Sequence, residues 1–316
     1  MKRPACALGV VAALAVVAGA CSRAEPDILA PRKTSAVVEA LTPGPGALVL
    51  PLRDGSVRFA VIGDSGRGDQ NQMDVARQMQ TWREKFPFDF VLMLGDNIYG
   101  PHTPDDYLRK FQQPYRPLLD AGVTFYAAIG NHDDPGSLHY APFNMNGNRY
   151  YTFRRAEKKL TALTGAGVRF FALDSRSFDR EQVEWLAREL KDSSSTWKIA
   201  FFHHPLYTSG RYRAGARALR LALEPTLVSG DVDVVLAGHE HFYERVRPQR
   251  GILYFVSGAG GSLRPGDIRQ SNLTASGFDQ DFSFMLFEVS GQQMYFQSIT
   301  KSGRTVDAGV IERQEN

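Results

Sequence analysis

The chain has 316 residues, of which 43% are hydrophobic and 22% charged, and its formal net charge is +3. This length allows one large domain or two small ones with a substantial core. The charge is too evenly balanced for a typical nucleic-acid-binding protein, so no nucleic-acid partner is expected. Both cysteines, Cys6 and Cys21, precede the region predicted to fold, which excludes disulfides and thiolate metal sites from that region.

The N-terminus has the pattern of an export signal. Lys2 and Arg3 precede an apolar run from Ala5 to Ala20, and this run is too short to be a good membrane span. Residues 1–20 are therefore predicted to be a signal peptide.

Two interpretations of the cleavage site remain open. The small residues directly before Cys21 fit ordinary signal cleavage, and the same stretch resembles a bacterial lipobox, in which Cys21 would be acylated. The lipobox is favoured because an unpaired thiol in an oxidising compartment needs an explanation. We therefore expect an exported protein, periplasmic or anchored to the outer membrane of a bacterium, whose only contact with a membrane would be a lipid on Cys21. Ser22 would, by resemblance to Gram-negative sorting rules, direct it to the outer membrane.

Residues 21–55 are rich in proline, alanine and glycine and show no sustained apolar period. This composition predicts a tether that includes no more than a short edge element. No repeat or second linker follows, so residues 56–316 are predicted to form one domain.

Beyond residue 56, short and nearly continuous apolar runs alternate with amphipathic helical stretches. Such runs are typical of strands buried on both faces. The predicted strands are Val57–Ile62, Phe88–Leu94, Val123–Ile129, Val168–Leu173, Trp197–Phe202, Val232–Ala237, Gly251–Ser257, Phe284–Val289 and Gln293–Ile299. The predicted helices are Met73–Phe86, Arg180–Leu190 and Arg217–Val228. Because the last strands follow one another without helices, the pattern predicts an α/β fold with two mixed sheets packed together and helices outside.

Five polar motifs occur where predicted strands end, in the order GDSG, GDNIY, GNHD, FFHHP and GHEH. Their candidate ligands and catalytic groups are Asp64, Asp96, Tyr99, Asn131, His132, Asp133, His203, His239 and His241. Carboxylate, amide, phenol and imidazole groups suit a two-metal hydrolytic centre. A single strand-end aspartate more often caps a turn, but five such motifs in order are hard to explain in that way. Because the carboxyl ends of the strands meet at one rim, these residues are predicted to lie together.

This series of motifs resembles the calcineurin-like metallophosphoesterase superfamily and, within it, the purple acid phosphatases of the small tartrate-resistant type. The resemblance covers Val57 to about Gly261 and implies a four-layer αββα sandwich, with two mixed sheets flanked by helices. The wider superfamily usually has a histidine two residues after the first aspartate. Here Asp64 is followed by Ser65 and Gly66, and the missing ligand is implied to be Tyr99, as in purple acid phosphatases.

The resemblance implies a pair of metal ions. The first, expected to be ferric, would be held by Asp64, Asp96, Tyr99 and His241. The second, a divalent iron, zinc or manganese ion, would share Asp96 and add Asn131, His203 and His239. His203 is assigned rather than His204 because the family pattern at this point is His-x-Pro.

The implied reaction is in-line attack on phosphorus by a hydroxide held on the metal pair. His132 would protonate or hydrogen-bond the leaving oxygen, and Asp133 would orient it. The substrate-binding residues are the least specific part of the resemblance, and we assign them to Arg211, Tyr212 and Arg213. Tyr243 and Arg245 would support the ligands, with a purely structural role as an equally weighted alternative.

Together these features predict an exported, metal-dependent acid phosphatase that hydrolyses small phosphate monoesters. One alternative on the same scaffold is a phosphodiesterase or nucleotide hydrolase, because the motifs fix the metals and not the ester. The other alternative is a surface lipoprotein that binds phosphate or a partner without turnover.

Overall fold

The computed structural model describes residues 37–42, 44, 46–156, 167–193, 195, 197–269 and 271–313. The predicted signal peptide, residues 1–20, and Cys21 lie outside the described residues. Within the described ranges, every helix is too short or too polar to cross a membrane.

The described residues form fourteen strands. They are β1 Val37–Ala40, β2 Val57–Ile62, β3 Phe90–Met93, β4 Thr124–Ala127, β5 Tyr151–Ala156, β6 Gly167–Ala172, β7 Trp197–Phe202, β8 Val234–Ala237, β9 Tyr243–Gln249, β10 Ile252–Ser257, β11 Thr274–Phe278, β12 Ser283–Ser290, β13 Gln293–Thr300 and β14 Thr305–Glu312. One seven-stranded sheet has the order β1-β14-β13-β12-β2-β3-β4, and the other has the order β11-β9-β10-β8-β7-β6-β5. In both sheets the strands that carry the polar motifs pair in parallel with their neighbours along the chain.

Helices cover the outer faces of both sheets. They are α1 Gln70–Lys85, α2 Pro104–Tyr107, a π-helical turn at Leu108–Gln112, α3 Gln113–Asp120, α4 Arg180–Lys191 and α5 Arg213–Ser229, with 3-10 turns at Pro135–His139 and Ala141–Phe143. Helix α1 begins earlier than its predicted start because the carboxylate of Asp69 accepts from the N–H of Gln72 and caps the first turn. Helix α5 likewise begins at Arg213, four residues before its predicted start at Arg217.

Two apolar layers hold the sandwich together. Between the sheets, the ring of Phe59 stacks on Phe90 at 5.3 Å and meets Phe170 of the second sheet edge-on at 5.3 Å. All three rings are buried. Truncating a buried phenylalanine to alanine lowers the free energy of unfolding by about 3–5 kcal/mol. A second layer packs the outer face of the first sheet against α1 and α3, where Trp82 and Tyr115 are buried. The α/β sandwich of two mixed sheets with outer helices is thus confirmed.

The segment before β2 joins the first sheet, although it was predicted to be mainly a tether. Strand β1 pairs antiparallel with β14 at the edge of that sheet. Leu50 is buried in the layer under α1, and the main-chain N–H groups of Leu52 and Arg53 donate to the carboxylate of Glu288. An edge strand therefore lies at Val37–Ala40, and Leu50, Leu52 and Arg53 are also held against the sheet.

Candidate metal centre

Three of the predicted ligands lie on a left-handed backbone. The φ angles are 54° at Asp64, 51° at Asp96 and 69° at His239. Residues other than glycine seldom adopt this region, and strained positions of this kind cluster at functional sites. Each of the three residues follows the end of a strand, namely β2, β3 and β8.

The first two ligand loops are bonded to each other through their main chains. The N–H of Asp64 donates to the carbonyl of Gly95 at 3.0 Å, and the N–H of Tyr99 donates to the carbonyl of Gly66 at 2.9 Å. The third loop approaches so closely that a Cβ at Gly130 would lie 2.3 Å from Oδ1 of Asp96. Only glycine permits this approach, which sets Asp96 between the loops.

The first group of ligand atoms comes from Asp64, Tyr99 and His241. The Tyr99 hydroxyl lies 3.2 Å from Oδ1 of Asp64 and 3.3 Å from Nε2 of His241. Oδ1 of Asp64 and Nε2 of His241 are also 3.3 Å apart. Ligand atoms that bind one cation at about 2.0–2.2 Å and at right angles lie about 3 Å from each other. The three atoms therefore have the spacing of one coordination shell.

The second group is centred on His203. Its Nε2 lies 2.9 Å from Oδ1 of Asn131, 3.1 Å from Nδ1 of His239 and 3.3 Å from Oδ1 of Asp96. Its Nδ1 lies 3.0 Å from the carbonyl oxygen of Leu94. A carbonyl only accepts, so the neutral imidazole carries its proton on Nδ1 and presents the Nε2 lone pair to a metal.

Asp96 lies between the two groups. One oxygen each of Asp64 and Asp96 and one nitrogen of His203 all fall within 4.8 Å of one another. All seven predicted ligands are thus brought to one place, in two adjacent sets that share a carboxylate. This arrangement fits two neighbouring cations: Asp64, Tyr99 and His241 would hold one, Asn131, His203 and His239 would hold the other, and Asp96 lies within reach of both sets.

The electrostatics of these residues also fit bound cations. Burial, reinforced by the neighbouring Asp96, raises the pKa of Asp64 well above its ordinary value. Burial lowers the pKa of His241 to about 3 and that of His239 to about 2, so both imidazoles are neutral. Burial and then the nearby carboxylate of Asp64 raise the pKa of the Tyr99 hydroxyl. A bound cation would lower the pKa values of Asp64 and Tyr99 and so oppose these two shifts. It would also bind the imidazoles in their neutral form.

His132 lies on the open side of the first group. Its ring is exposed and stands 4.8 Å from the ring of Tyr99. The N–H of His132 donates to Oδ1 of Asp96 at 2.9 Å. The residue is therefore fixed through its main chain while its side chain faces solvent beside the metal centre.

Asp133 does not fit the predicted catalytic role. Its carboxylate is buried and accepts from the N–H groups of Asn97, Ile98 and Gly130 at 2.8–3.0 Å, and from the side-chain amide of Asn97 at 2.9 Å. Each of the two oxygens of this buried carboxylate accepts two of the four bonds, so neither oxygen is available to orient a substrate or His132. Asp133 instead joins the GDNIY loop to the GNHD loop and thereby positions Asp96 and Asn131.

The predicted substrate residues separate into two groups. Tyr212 lies beside the second ligand set, with its ring 4.3 Å from that of His239. Arg211 is close by, but its guanidinium is paired with Asp267, with Nε and Oδ2 2.7 Å apart. Arg213 is exposed at the first turn of α5 and does not line the cavity beside His239, which corrects the prediction for this residue.

Tyr243 and Arg245 are structural rather than supports for the ligands. The Tyr243 hydroxyl donates to Oδ2 of Asp307 at 2.6 Å, and Arg245 donates to both oxygens of the same carboxylate. Asp307 belongs to β14 in the other sheet, so this cluster ties the two sheets together. The geometry therefore favours a purely structural role for Tyr243 and Arg245.

Three further residues lie at the site, of which the sequence analysis considered only His204 and assigned it no role. His204 has a nitrogen within 4.8 Å of ligand nitrogens of His203 and His239, and its Nδ1 lies 2.9 Å from Oγ of Ser175. Arg67 covers the Tyr99 ring at 3.7 Å, and its Nε donates to Oγ of Ser262. Arg264 lowers the pKa of His241 through its positive charge, an effect second to burial. The double histidine of FFHHP was a visible signal for His204, whereas nothing in the local sequence marks the two arginines.

The comparisons with known proteins indicate one family. The sequence model of the family described as calcineurin-like phosphoesterase matches residues 57–243. Purple acid phosphatase 7 of Arabidopsis thaliana is 28% identical over 294 residues, covering 78% of this chain and 87% of the relative. Tartrate-resistant acid phosphatase type 5 of Homo sapiens is 26% identical over 306 residues, covering 82% of this chain and 93% of the relative.

Solved structures share the fold. GAP50, the anchor in the inner membrane complex of Plasmodium, superposes with a TM-score of 0.73 at 17% identity, covering 83% of this chain and 90% of that chain. Purple acid phosphatase PPD1 from yellow lupin, Lupinus luteus, gives a TM-score of 0.63 at 18% identity, covering 85% of this chain and 55% of that chain. From the family match over its central region, from the two mixed sheets and from the ligand sets at their rim, the chain belongs to the calcineurin-like phosphoesterase family.

Proposed function

We propose that this protein is an exported phosphatase that uses two metal ions to hydrolyse small phosphate monoesters. The observation that carries the proposal is the shared position of Asp96 between two sets of ligand atoms with coordination spacing. The likeness to purple acid phosphatases supports a phosphoesterase, and the monoester as substrate is our own step beyond it.

A ferric ion is proposed for the set that contains Tyr99, and a divalent iron, zinc or manganese ion for the set that contains His203. Phenolate is a hard, charged ligand, whereas the second set offers neutral imidazole and amide donors, which divalent ions accept. When bound, such a pair supplies Lewis acidity toward phosphoryl oxygens and acidifies water near neutral pH.

The residues of the chain position the ester around this centre. The exposed ring of His132 stands beside Tyr99 and is the group available to hydrogen-bond the leaving oxygen. Its main-chain N–H donates to Asp96, so the backbone that carries the ring is held next to the carboxylate between the two ligand sets. Asp133 contributes by fixing the two loops and does not touch the ester.

Export and anchoring through Cys21 are proposed from the N-terminal sequence alone. The mass of the mature N-terminus would test this part separately, because acylation adds the mass of the lipid to a chain that begins at Cys21. The absence of a nucleic-acid partner is likewise proposed from the balanced charge.

The central test compares two substrates and one variant. The protein, purified and loaded with iron and zinc, is assayed on p-nitrophenyl phosphate and on bis-p-nitrophenyl phosphate, with Asp96→Asn as the blank. We expect fast cleavage of the monoester and a loss of at least about 100-fold in the variant. The matched control is Asp105→Asn, since Asp105 is an exposed residue whose only charged partner is the exposed Arg109 within the described residues.

The outcomes separate the competing functions. A preference for the diester would replace the monoesterase by a phosphodiesterase on the same scaffold. Equal rates for the metal-loaded protein and the Asp96→Asn blank would reject catalysis at this centre. The protein would then resemble GAP50, which shares the fold and is an anchor, and a binding function would take the place of turnover.

A further inference from the structure

A cavity of about 360 Å³ opens beside the second ligand set. Part of its lining is a row of three rings, in which His239 stands between the other two. The His239 ring is 4.4 Å from that of His204 and 4.3 Å from that of Tyr212, with tilts of 51° and 44°. A ligand in this cavity therefore contacts planar side chains directly next to the metal centre.

The remainder of the lining is small and apolar where α5 begins. Ala214, Gly215, Ala216 and Leu219 belong to this part, together with Pro205. A Cβ built on Gly215 meets no heavy atom within 4 Å, so there is open space at this position. The small side chains at the start of α5 leave room in the cavity for a flat group.

The two arginines of the lining are already neutralised. Arg176 donates from Nε and Nη2 to the two oxygens of Asp174, both at 3.0 Å. Arg211 donates from Nη2 to Oδ1 of Asp267 at 2.7 Å, and its Nε lies 2.7 Å from Oδ2 of the same carboxylate. The lining thus carries no unbalanced positive charge of the kind that a second phosphate group would require.

The lining has two hydroxyls, of Ser175 and Tyr212, and that of Ser175 is engaged. Oγ of Ser175 lies 2.9 Å from Nδ1 of His204 and accepts from the N–H of the same residue at 2.9 Å. A sugar or polyol needs many hydrogen-bonding partners that are still free, and a buried hydroxyl without a partner costs free energy. With the Tyr212 hydroxyl as the other hydroxyl of the lining, the cavity offers few hydrogen-bonding partners to a polyhydroxylated group.

We propose that this cavity binds the leaving group of the ester and selects aryl phosphates, in which the phosphate is attached to an aromatic ring. Planar rings on one part of the lining, small apolar groups on another and paired charges throughout match an uncharged aromatic alcohol. The cavity lies at the lower end of the usual range for small-molecule sites, so one ring system fills it. This inference rests on the proposed phosphatase function and names the class of its substrate.

The test fills the cavity from helix α5 without touching a metal ligand. Gly215→Leu places a side chain in the open space at this position, and leucine is a better helix former than glycine. The matched control is Ala222→Leu, an exposed position on the same helix outside the cavity lining. Both variants are compared with the wild-type protein on 1-naphthyl phosphate and on methyl phosphate.

For Gly215→Leu we expect kcat/KM on 1-naphthyl phosphate to fall at least about tenfold, as for other losses of an apolar pocket contact. The value on methyl phosphate should change much less, because a methyl group does not reach the cavity. A second variant, Tyr212→Ala, removes one ring of the row and should reduce the preference for the aryl ester in the same direction. Equal changes on both esters, or no preference for the aryl ester in the wild-type protein, would overturn the inference.

A binding measurement separates this inference from the proposed function. Calorimetric titration with 1-naphthylphosphonate, which is not hydrolysed, reports binding to the metal-loaded protein whether or not it turns over. Tight binding that Gly215→Leu weakens, in a protein without hydrolytic activity, would reject the phosphatase and retain the aryl site. Hydrolysis of esters together with equal binding of 1-naphthylphosphonate and methylphosphonate would retain the phosphatase and reject the aryl site.

Discussion

The main-chain N–H of His132 donates to Oδ1 of Asp96 at 2.9 Å, so the backbone of the proposed leaving-group residue is tied to the carboxylate between the two ligand sets. The same oxygen lies 3.3 Å from Nε2 of His203. A displacement of Asp96 would therefore move His132 and disturb the second ligand set together. Misplacement of about 1 Å at a catalytic site can cost about 100-fold in rate.

Gly130→Ala should cause such a displacement. The new Cβ would lie 2.1 Å from the main-chain N of Asp96 and 2.3 Å from its Oδ1, and both loops are held by main-chain bonds that resist movement. We expect a loss of about 1–3 kcal/mol in the free energy of unfolding, as for other overpacked sites, together with reduced metal content. Chemical denaturation and metal analysis of the purified variant would measure both effects.

The control for Gly130→Ala is Gly44→Ala, because a Cβ at Gly44 meets no heavy atom within 4 Å. The control should keep its stability and its metal content. Full metal content in Gly130→Ala would show that Asp96 tolerates displacement, contrary to the packing described above.

Asp133→Asn should loosen the joint between the GDNIY and GNHD loops. The substitution replaces one acceptor oxygen of Asp133 by an amide NH2 group that faces N–H donors. At least one buried hydrogen bond is then lost, and the new NH2 group points at another donor. A buried group left without its partner costs about 1–3 kcal/mol. The free energy of unfolding and the affinity for the second metal should both fall, whereas Asp105→Asn should change neither. Normal stability with a selective loss of kcat would instead restore the predicted catalytic role of Asp133.

The sequence was most informative where strands are buried on both faces. Strands β2 and β7 have the predicted bounds, because six consecutive apolar or shielded residues leave few alternatives. The half-exposed strands β5, β9 and β14 were missed, since the residues on their outer faces are polar and break the apolar run. The helical stretch from Pro104 to Asp120 was missed because it contains internal prolines and a π-helical turn.

In the site, the residues that chemistry requires were predictable and their partners were not. Asp96 and His203 stand in short motifs at strand ends, and such motifs limit the choice of ligands. The left-handed backbone at His239 could not be read from the sequence, because histidine does not require that conformation. Arg67, which covers Tyr99, depends on a loop contact that only the packed structure defines.

Tyr99→Phe should remove a metal ligand while leaving the fold intact. The phenyl ring keeps its contacts with Arg67 at 3.7 Å and with His132 at 4.8 Å, and only the hydroxyl between Asp64 and His241 is lost. If the first ion is ferric, the visible absorption band of the phenolate complex should disappear. Absorption spectroscopy of the iron-loaded protein measures this directly, with Tyr295→Phe as a control at a distant tyrosine hydroxyl. A band that survives in Tyr99→Phe would remove Tyr99 from the ligand set.

Removal of the metals should lower the thermal stability of the protein. Without cations, the buried carboxylates of Asp64 and Asp96 repel each other, and burial already raises the pKa of Asp64. A metal present at about 100 times its dissociation constant adds about 2.7 kcal/mol to the free energy of unfolding. Thermal unfolding after dialysis against a chelator, followed by stepwise return of iron and zinc, would show a midpoint that rises with each metal. Asp96→Asn provides the control, because its smaller charge should reduce the response. A midpoint that is indifferent to metal would contradict the assignment of these residues as a metal centre.

Glu240→Ala should displace the loop that carries Tyr212. Glu240 is fully buried between the ligands His239 and His241, and its Oε1 accepts from the N–H of Tyr212 at 2.8 Å. The loop packs so tightly on this carboxylate that a Cβ at Gly210 would lie 2.4 Å from it. Loss of the carboxylate removes the support of the ring beside His239, so we expect KM to rise several-fold, while kcat and metal content change less.

Glu240→Gln is the matched variant, because its amide oxygen can still accept from Tyr212. Within the described residues, the other oxygen of Glu240 has no hydrogen-bonding partner, so replacing it by an amide nitrogen removes no contact. Steady-state kinetics should place Glu240→Gln near the wild-type protein and Glu240→Ala at a raised KM. If both variants instead lost metal and kcat together, Glu240 would act through the orientation of His239 and His241. The loop that carries Tyr212 would then be held by Glu244, which accepts from the N–H of Ser209 at 3.0 Å.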